Sequence, residues 1–136
     1  MLDLSSMEKA VKALEVALDI YDRNPLPTED PEKVVLRDGV IQRFEFTYEL
    51  SWKMLKRYLE EYGLERPDRL SNRDLFRVGY EQELIDDPEK WFLYLRTRNL
   101  TSHVYDEAKA TEVFQAAKRF LPDVKFFLER LKVGNK

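Results

Sequence analysis

At 136 residues the chain has room for one domain with a single apolar core and too little for two of ordinary size. Its 23 basic residues nearly balance its 26 acidic ones, for a net charge of -3; this excludes a general polyanion binder and leaves room only for a local basic groove. No cysteine is present, which removes disulfides, thiolate metal sites and cysteine nucleophiles, and the single histidine argues against a zinc or iron site built from protein ligands.

No metal and no cofactor are therefore expected. No apolar run approaches membrane-spanning length and the N-terminus lacks a signal-peptide pattern, so the expected location is the cytoplasm. The first predicted helix covers residues 6–22, with Val11, Leu14, Ala17, Leu18 and Tyr21 on one face. Asn24-Pro25-Leu26-Pro27-Thr28 ends it. A second helix is predicted from Glu32 or Val35 to Tyr62, about 40 Å long at the helical rise per residue. Gly63 should stop it by accepting a left-handed cap.

This long helix carries two stripes. Ile41, Phe44, Tyr48, Ser51, Leu55, Tyr58 and Tyr62 form the apolar one, widened by Val40, Thr47, Leu50 and Met54. Asp38, Gln42, Glu45, Glu49, Lys53 and Lys56 form the polar one, which as a solvated face would hold i,i+4 pairs such as Glu49–Lys53. Glu45 and Glu49 sit among Phe44, Phe46, Tyr48 and Trp52, which makes them the better candidates for a groove.

Residues 65–68 read as a loop. Ser71 with Asp74 resembles a capping box opening a short helix through Leu75, Phe76 and Val78, and reaching toward Leu84, weakened at Gly79. Asp87-Pro88 starts another, which runs through Trp91 and Leu95 to Arg98. Asp106 can cap the next, with Ala110, Val113, Phe114 and Ala117 inward. Pro122 marks a break or fresh start before Val124, Phe127, Leu128 and Leu131. No strand alternation of useful length occurs. The expected fold is an all-α, up-and-down bundle of four main helices plus short extra helices, one domain over residues 1–136.

The stretch Arg98-Asn99-Leu100-Thr101-Ser102-His103-Val104-Tyr105-Asp106 holds the only histidine, amid reactive and polar groups. Histidine titrates near neutrality and arginine holds phosphate through two parallel donors, a pairing suited to phosphodiester cleavage. On an unbroken helix the two would diverge by about 140°. A helix end near Thr101-Ser102, or a second subunit, is needed to bring them together. Asn99 or Ser102 can orient the histidine, and the Tyr105 hydroxyl can donate a hydrogen bond or accept a transferred nucleotide. The plainer reading is a histidine satisfying a local carbonyl, Arg98 paired with Glu45 or Glu49, and Trp52 and Trp91 in the core.

Residues 37–53, Arg37-Asp38-Gly39-Val40-Ile41-Gln42-Arg43-Phe44-Glu45-Phe46-Thr47-Tyr48-Glu49-Leu50-Ser51-Trp52-Lys53, resemble the long-helix motif of the nucleotidyltransferase substrate-binding protein family. Residues 98–106 resemble its second motif, in the same order and at similar separation. The resemblance implies a HEPN-superfamily bundle, a homodimer, encoded beside a minimal nucleotidyltransferase with which it forms a two-component system. On that basis the expected role is a substrate- and partner-binding subunit whose groove holds Gln42, Glu45, Glu49, Asn99, Ser102 and Tyr105 beside Arg98 and His103, recognising nucleotide or RNA. The alternative it implies is a metal-independent endoribonuclease toxin. Arg98 and His103 would then be catalytic and the transferase the antitoxin, acting by transfer of AMP to Tyr105. The chain lacks the glycine-serine and paired-aspartate signature of the transferase itself.

Overall fold

The computed structural model describes residues 1–63 and 66–135, and among these every regular element is helical. Five α-helices follow one another: α1 (Ser5–Arg23), α2 (Pro31–Tyr62), α3 (Asn72–Glu81), α4 (Pro88–Arg98) and α5 (Glu107–Gly134). Short 3-10 turns occupy Pro67–Arg69 and Thr101–His103. The all-α bundle read from the pattern is what forms. Its weight lies in three long helices and two short ones, because α5 runs unbroken through Pro122 where a break was expected. Proline removes one helical donor. Burial of Phe120 before it and Val124, Phe127, Leu128 and Leu131 after it keeps both halves on one axis.

Local chemistry sets the boundaries. Asp30 accepts from Glu32 N at the start of α2, Ser71 from Asp74 N at α3, Asp87 from Glu89 N at α4, and Asp106 from Ala108 and Lys109 N at α5. The buried Lys33 donates to the carbonyls of Tyr21 and Asn24, closing the C-terminal end of α1. Gly63 ends α2 as expected, by a different route. Its backbone is extended, with φ -87°, and glycine is needed because a Cβ would lie 2.7 Å from the Leu59 carbonyl oxygen. Residue 65 of the expected 65–68 loop lies outside the described residues. Leu84 falls beyond α3, which closes with Glu83 N bonded to the Tyr80 carbonyl and Leu84 N to that of Gly79. That closure puts Glu83 at φ 61°.

α1 lies along α2 and α5, while α3 and α4 pack together over the other flank of α2. Phe120 of α5 is the hub of the core. Its ring lies 5.1 Å from Phe44, 5.4 Å from Trp91 and 5.0 Å from Tyr94, in edge-on arrangements. α3 approaches α2 closely at Gly79, where a Cβ would meet Leu55 at 3.3 Å. This packing fixes the exposed side of α2 relative to the α4–α5 connection, where the candidate site lies.

Candidate functional site

α4 ends at Arg98, and the chain then turns rather than continuing. Thr101 Oγ1 donates to the Arg98 carbonyl at 2.8 Å, Leu100 N to Thr97 O at 2.9 Å, and His103 N to Leu100 O at 2.9 Å. Asp106 N then bonds the His103 carbonyl at 3.1 Å before Asp106 caps α5. The helix end anticipated near Thr101-Ser102 is thus built from hydrogen bonds. Thr101 is buried as its anchor, whereas Asn99, Ser102, His103 and Tyr105 face solvent. The imidazole of His103 and the phenol of Tyr105 stand edge-on with centroids 6.1 Å apart, and Tyr105 is 81% exposed.

Arg98 lies half-buried and turns toward α2. Its Nε donates to Glu49 Oε1 at 2.6 Å, and its Nη2 lies 3.6 Å from Glu45 Oε1. The other Glu49 oxygen accepts from the Trp52 indole Nε1 at 3.2 Å. Among the described residues Nη1 of Arg98 makes no hydrogen bond or ion pair. The i,i+4 pair Glu49–Lys53 considered for this face does not form. Glu49 serves Arg98 instead, and the Lys53 ammonium lies 5.9 Å from the centroid of the Trp52 ring. A guanidinium with a short hydrogen bond is the better partner for a half-buried carboxylate than a flexible ammonium on the same exposed face.

Beside this cluster lies an open hollow of about 700 Å³ on the surface of α2, which alone supplies its lining residues Gln42, Arg43, Glu45, Phe46, Glu49, Leu50 and Lys53. Of the residues singled out from sequence, the structure brings Gln42, Glu45 and Glu49 into this hollow and sets Arg98 against its two carboxylates. Asn99, Ser102, His103 and Tyr105 lie on the neighbouring exposed turn and are not among the lining residues. That turn packs on α2 and α5. Tyr48, next to Glu49 in α2, is fully buried, and its phenol is held strongly toward its neutral form by burial, with the Glu49 charge adding to the effect.

Two features escaped the sequence reading. Trp52 is half-buried and bonded to Glu49 rather than sunk in the core, a contact that the i,i+3 spacing allowed. Phe46, on the same helix, is 59% exposed at the mouth of the hollow. Among the described residues no group of three or more histidine, aspartate or glutamate side chains gathers as a metal site. No helix is long and apolar enough to cross a membrane.

The family model described as nucleotidyltransferase substrate binding protein like matches residues 2–133. The chain belongs to that family. A Haemophilus influenzae protein named "Probable ribonuclease HepT" is 37% identical over an alignment of 141 positions that covers 98% of this chain and 94% of that protein. A solved Haemophilus influenzae structure, presented as the fold of a substrate binding domain of a nucleotidyltransferase, superposes with a TM-score of 0.83. It shares 34% identity over 96% of this chain and 99% of that one. A crystal structure from Thermus thermophilus superposes with a TM-score of 0.71, at 32% identity over 90% of this chain and 98% of its own. The family model spans all five helices to within one residue of the end of α5, the Arg98 turn included.

Proposed function

We propose that this chain is the substrate-binding subunit of a two-component system whose catalytic partner is a minimal nucleotidyltransferase encoded nearby, and that Arg98 is its phosphate-binding group. The observation that carries this reading is the state of Arg98. One edge of its guanidinium is fixed against α2 while Nη1 has no partner among the described residues, beside a solvent-facing turn bearing His103 and Tyr105. The related Haemophilus influenzae structure, described as a nucleotidyltransferase's substrate binding domain, supports the assignment. Co-expression with the neighbouring transferase and affinity purification test it. The two should co-elute at micromolar concentration, and failure to do so counts against the role.

A second reading is favoured by the relative named as a probable ribonuclease and by the exposure of the His103 ring. Here Arg98 holds the scissile phosphate, His103 transfers the proton, and Tyr105, standing free in solvent, is the residue the transferase modifies with AMP. Incubation of the purified chain with RNA in the presence of chelator separates the readings. Cleavage that survives chelation and disappears in His103→Ala supports the nuclease. In either reading the working unit is a cytoplasmic homodimer, for which Phe46 and Val35, exposed on the outer side of α2, offer apolar area. Phe46→Glu should then lower the mass seen by analytical ultracentrifugation.

A further inference from the structure

We propose that Glu49, itself held by Trp52, is the positioning residue that presents Arg98 to a phosphoryl anion; this rests on the reading of Arg98 as the phosphate-binding group. A guanidinium offers a side edge, Nε with Nη2, and an end edge, Nη1 with Nη2. Here the side edge faces carboxylates. Nε is tied to Glu49 at 2.6 Å, whereas Nη2 stands 3.6 Å from Glu45, beyond hydrogen-bond distance. The end edge is left to a ligand, because Nη1 has no partner among the described residues and Nη2 makes only the 3.6 Å ion pair to Glu45.

Glu49 reaches this position under constraint of its own. Its second oxygen accepts the indole N–H of Trp52 at 3.2 Å, so both carboxylate oxygens are committed and its rotamer is set from two directions. Trp52 is partly buried and packs against the core. The order Trp52 to Glu49 to Arg98 is thus a chain of directional hydrogen bonds running from the core to a charged group at the surface. A free arginine on α4 would sample many rotamers, and binding an anion would cost that freedom. A pre-set guanidinium avoids the cost. Glu45 is the looser neighbour: its carboxylate balances the Arg98 charge and can swing away when an anion arrives.

A simple charge argument gives the opposite expectation, and the experiment exploits this. If Glu49 merely neutralised Arg98, removing its charge would strengthen anion binding. The test measures binding of two phosphate-bearing probes, ATP by calorimetry and a fluorescein-labelled single-stranded RNA decamer by anisotropy, to the full chain and its variants. ATP binding without RNA binding identifies a mononucleotide site, and the reverse identifies a polynucleotide site. Arg98→Ala should abolish binding of the probe that the chain takes. Glu49→Ala should weaken it by about tenfold or more, the scale on which lost orientation costs. Glu49→Gln, which keeps an acceptor for the Arg98 Nε–H, should recover most of that loss. Trp52→Phe should fall between, with its circular dichroism unchanged.

Unchanged binding in Arg98→Ala would remove the phosphate role of that residue and with it the proposal. Loss in Arg98→Ala with equal or tighter binding in Glu49→Ala would overturn the positioning role alone. Thermal melts of each variant separate these effects from unfolding, and the rescue by glutamine is a result that a merely structural contact would not give.

Discussion

Arg37 on α2 and Glu107 in the first turn of α5 form a two-pronged ion pair, Nη1 to Oε2 at 2.7 Å and Nη2 to Oε1 at 3.3 Å. The guanidinium is buried and the carboxylate largely exposed, with Asp38 on the arginine's other side. The bond joins the entry of the long helix to the segment that follows the candidate site. The hydrogen bond to Arg37 holds the Glu107 carboxyl below its ordinary value of 4.5. A depressed carboxylate contributes stability that is present above its unfolded value and lost as pH falls through its folded one. The melting temperature of Glu107→Gln should therefore lie below that of the unmodified chain at pH 6 to 7, and the gap should close on acidification below about pH 4.5. Arg37→Ala should cost about 2 kcal/mol, through lost charged hydrogen bonds and stem packing, in urea titration.

Tyr48 and Trp91 bring their polar atoms into the core without a hydrogen-bond partner among the described residues. An unpartnered hydroxyl carries a desolvation cost that a hydrogen atom does not. Tyr48→Phe should thus leave stability unchanged or raise it by about 1 kcal/mol, read by thermal melting. Tyr94 is the contrast. Its hydroxyl donates to the Asp123 carboxylate, so Tyr94→Phe should destabilise by about 1–2 kcal/mol.

Both phenols are pushed upward, above all by burial. A raised folded value means stability that is complete below the unfolded value of 10 and lost as pH rises past it. In a spectrophotometric titration two of the seven tyrosines should ionise only when the bundle unfolds at alkaline pH.

Two positions, one just past α3 and one inside α5, hold residues that their backbone disfavours. Glu83 occupies the left-handed position that closes α3, where a side chain costs about 1–2 kcal/mol relative to glycine. Glu83→Gly should raise the melting temperature. Pro122 lies exposed inside α5, and Pro122→Ala restores a helical donor for a gain of about 1–3 kcal/mol. A fall in stability on that change would show that α5 needs the local geometry proline imposes.

His103 and Tyr105 project from a turn whose hydrogen bonds run through backbone atoms and the Thr101 hydroxyl. His103→Ala and Tyr105→Phe should each shift stability by no more than about 0.5 kcal/mol. Any change they cause in RNA cleavage, partner binding or adenylylation then reports on function. Thr101→Val should instead loosen the turn, lowering both stability and whatever activity the His103 variant removes.

The sequence by itself determined the helices, because their information is local. Apolar residues at helical spacing chose the buried faces, and Asp30, Ser71, Asp87 and Asp106 cap helices with side chains only two or three residues from the donors they satisfy. Pro122 misled for the same reason: its local preference was legible, while the burial on either side of it was not. Only the tertiary structure decided which carboxylate Arg98 takes, since Glu45, Glu49 and Lys53 are interchangeable as letters on a polar stripe. Forty-nine residues separate Arg98 from Glu49 in the chain. Packing of α4 across α2 places them 2.6 Å apart and leaves Lys53 over an indole ring, an outcome set by where whole helices come to rest.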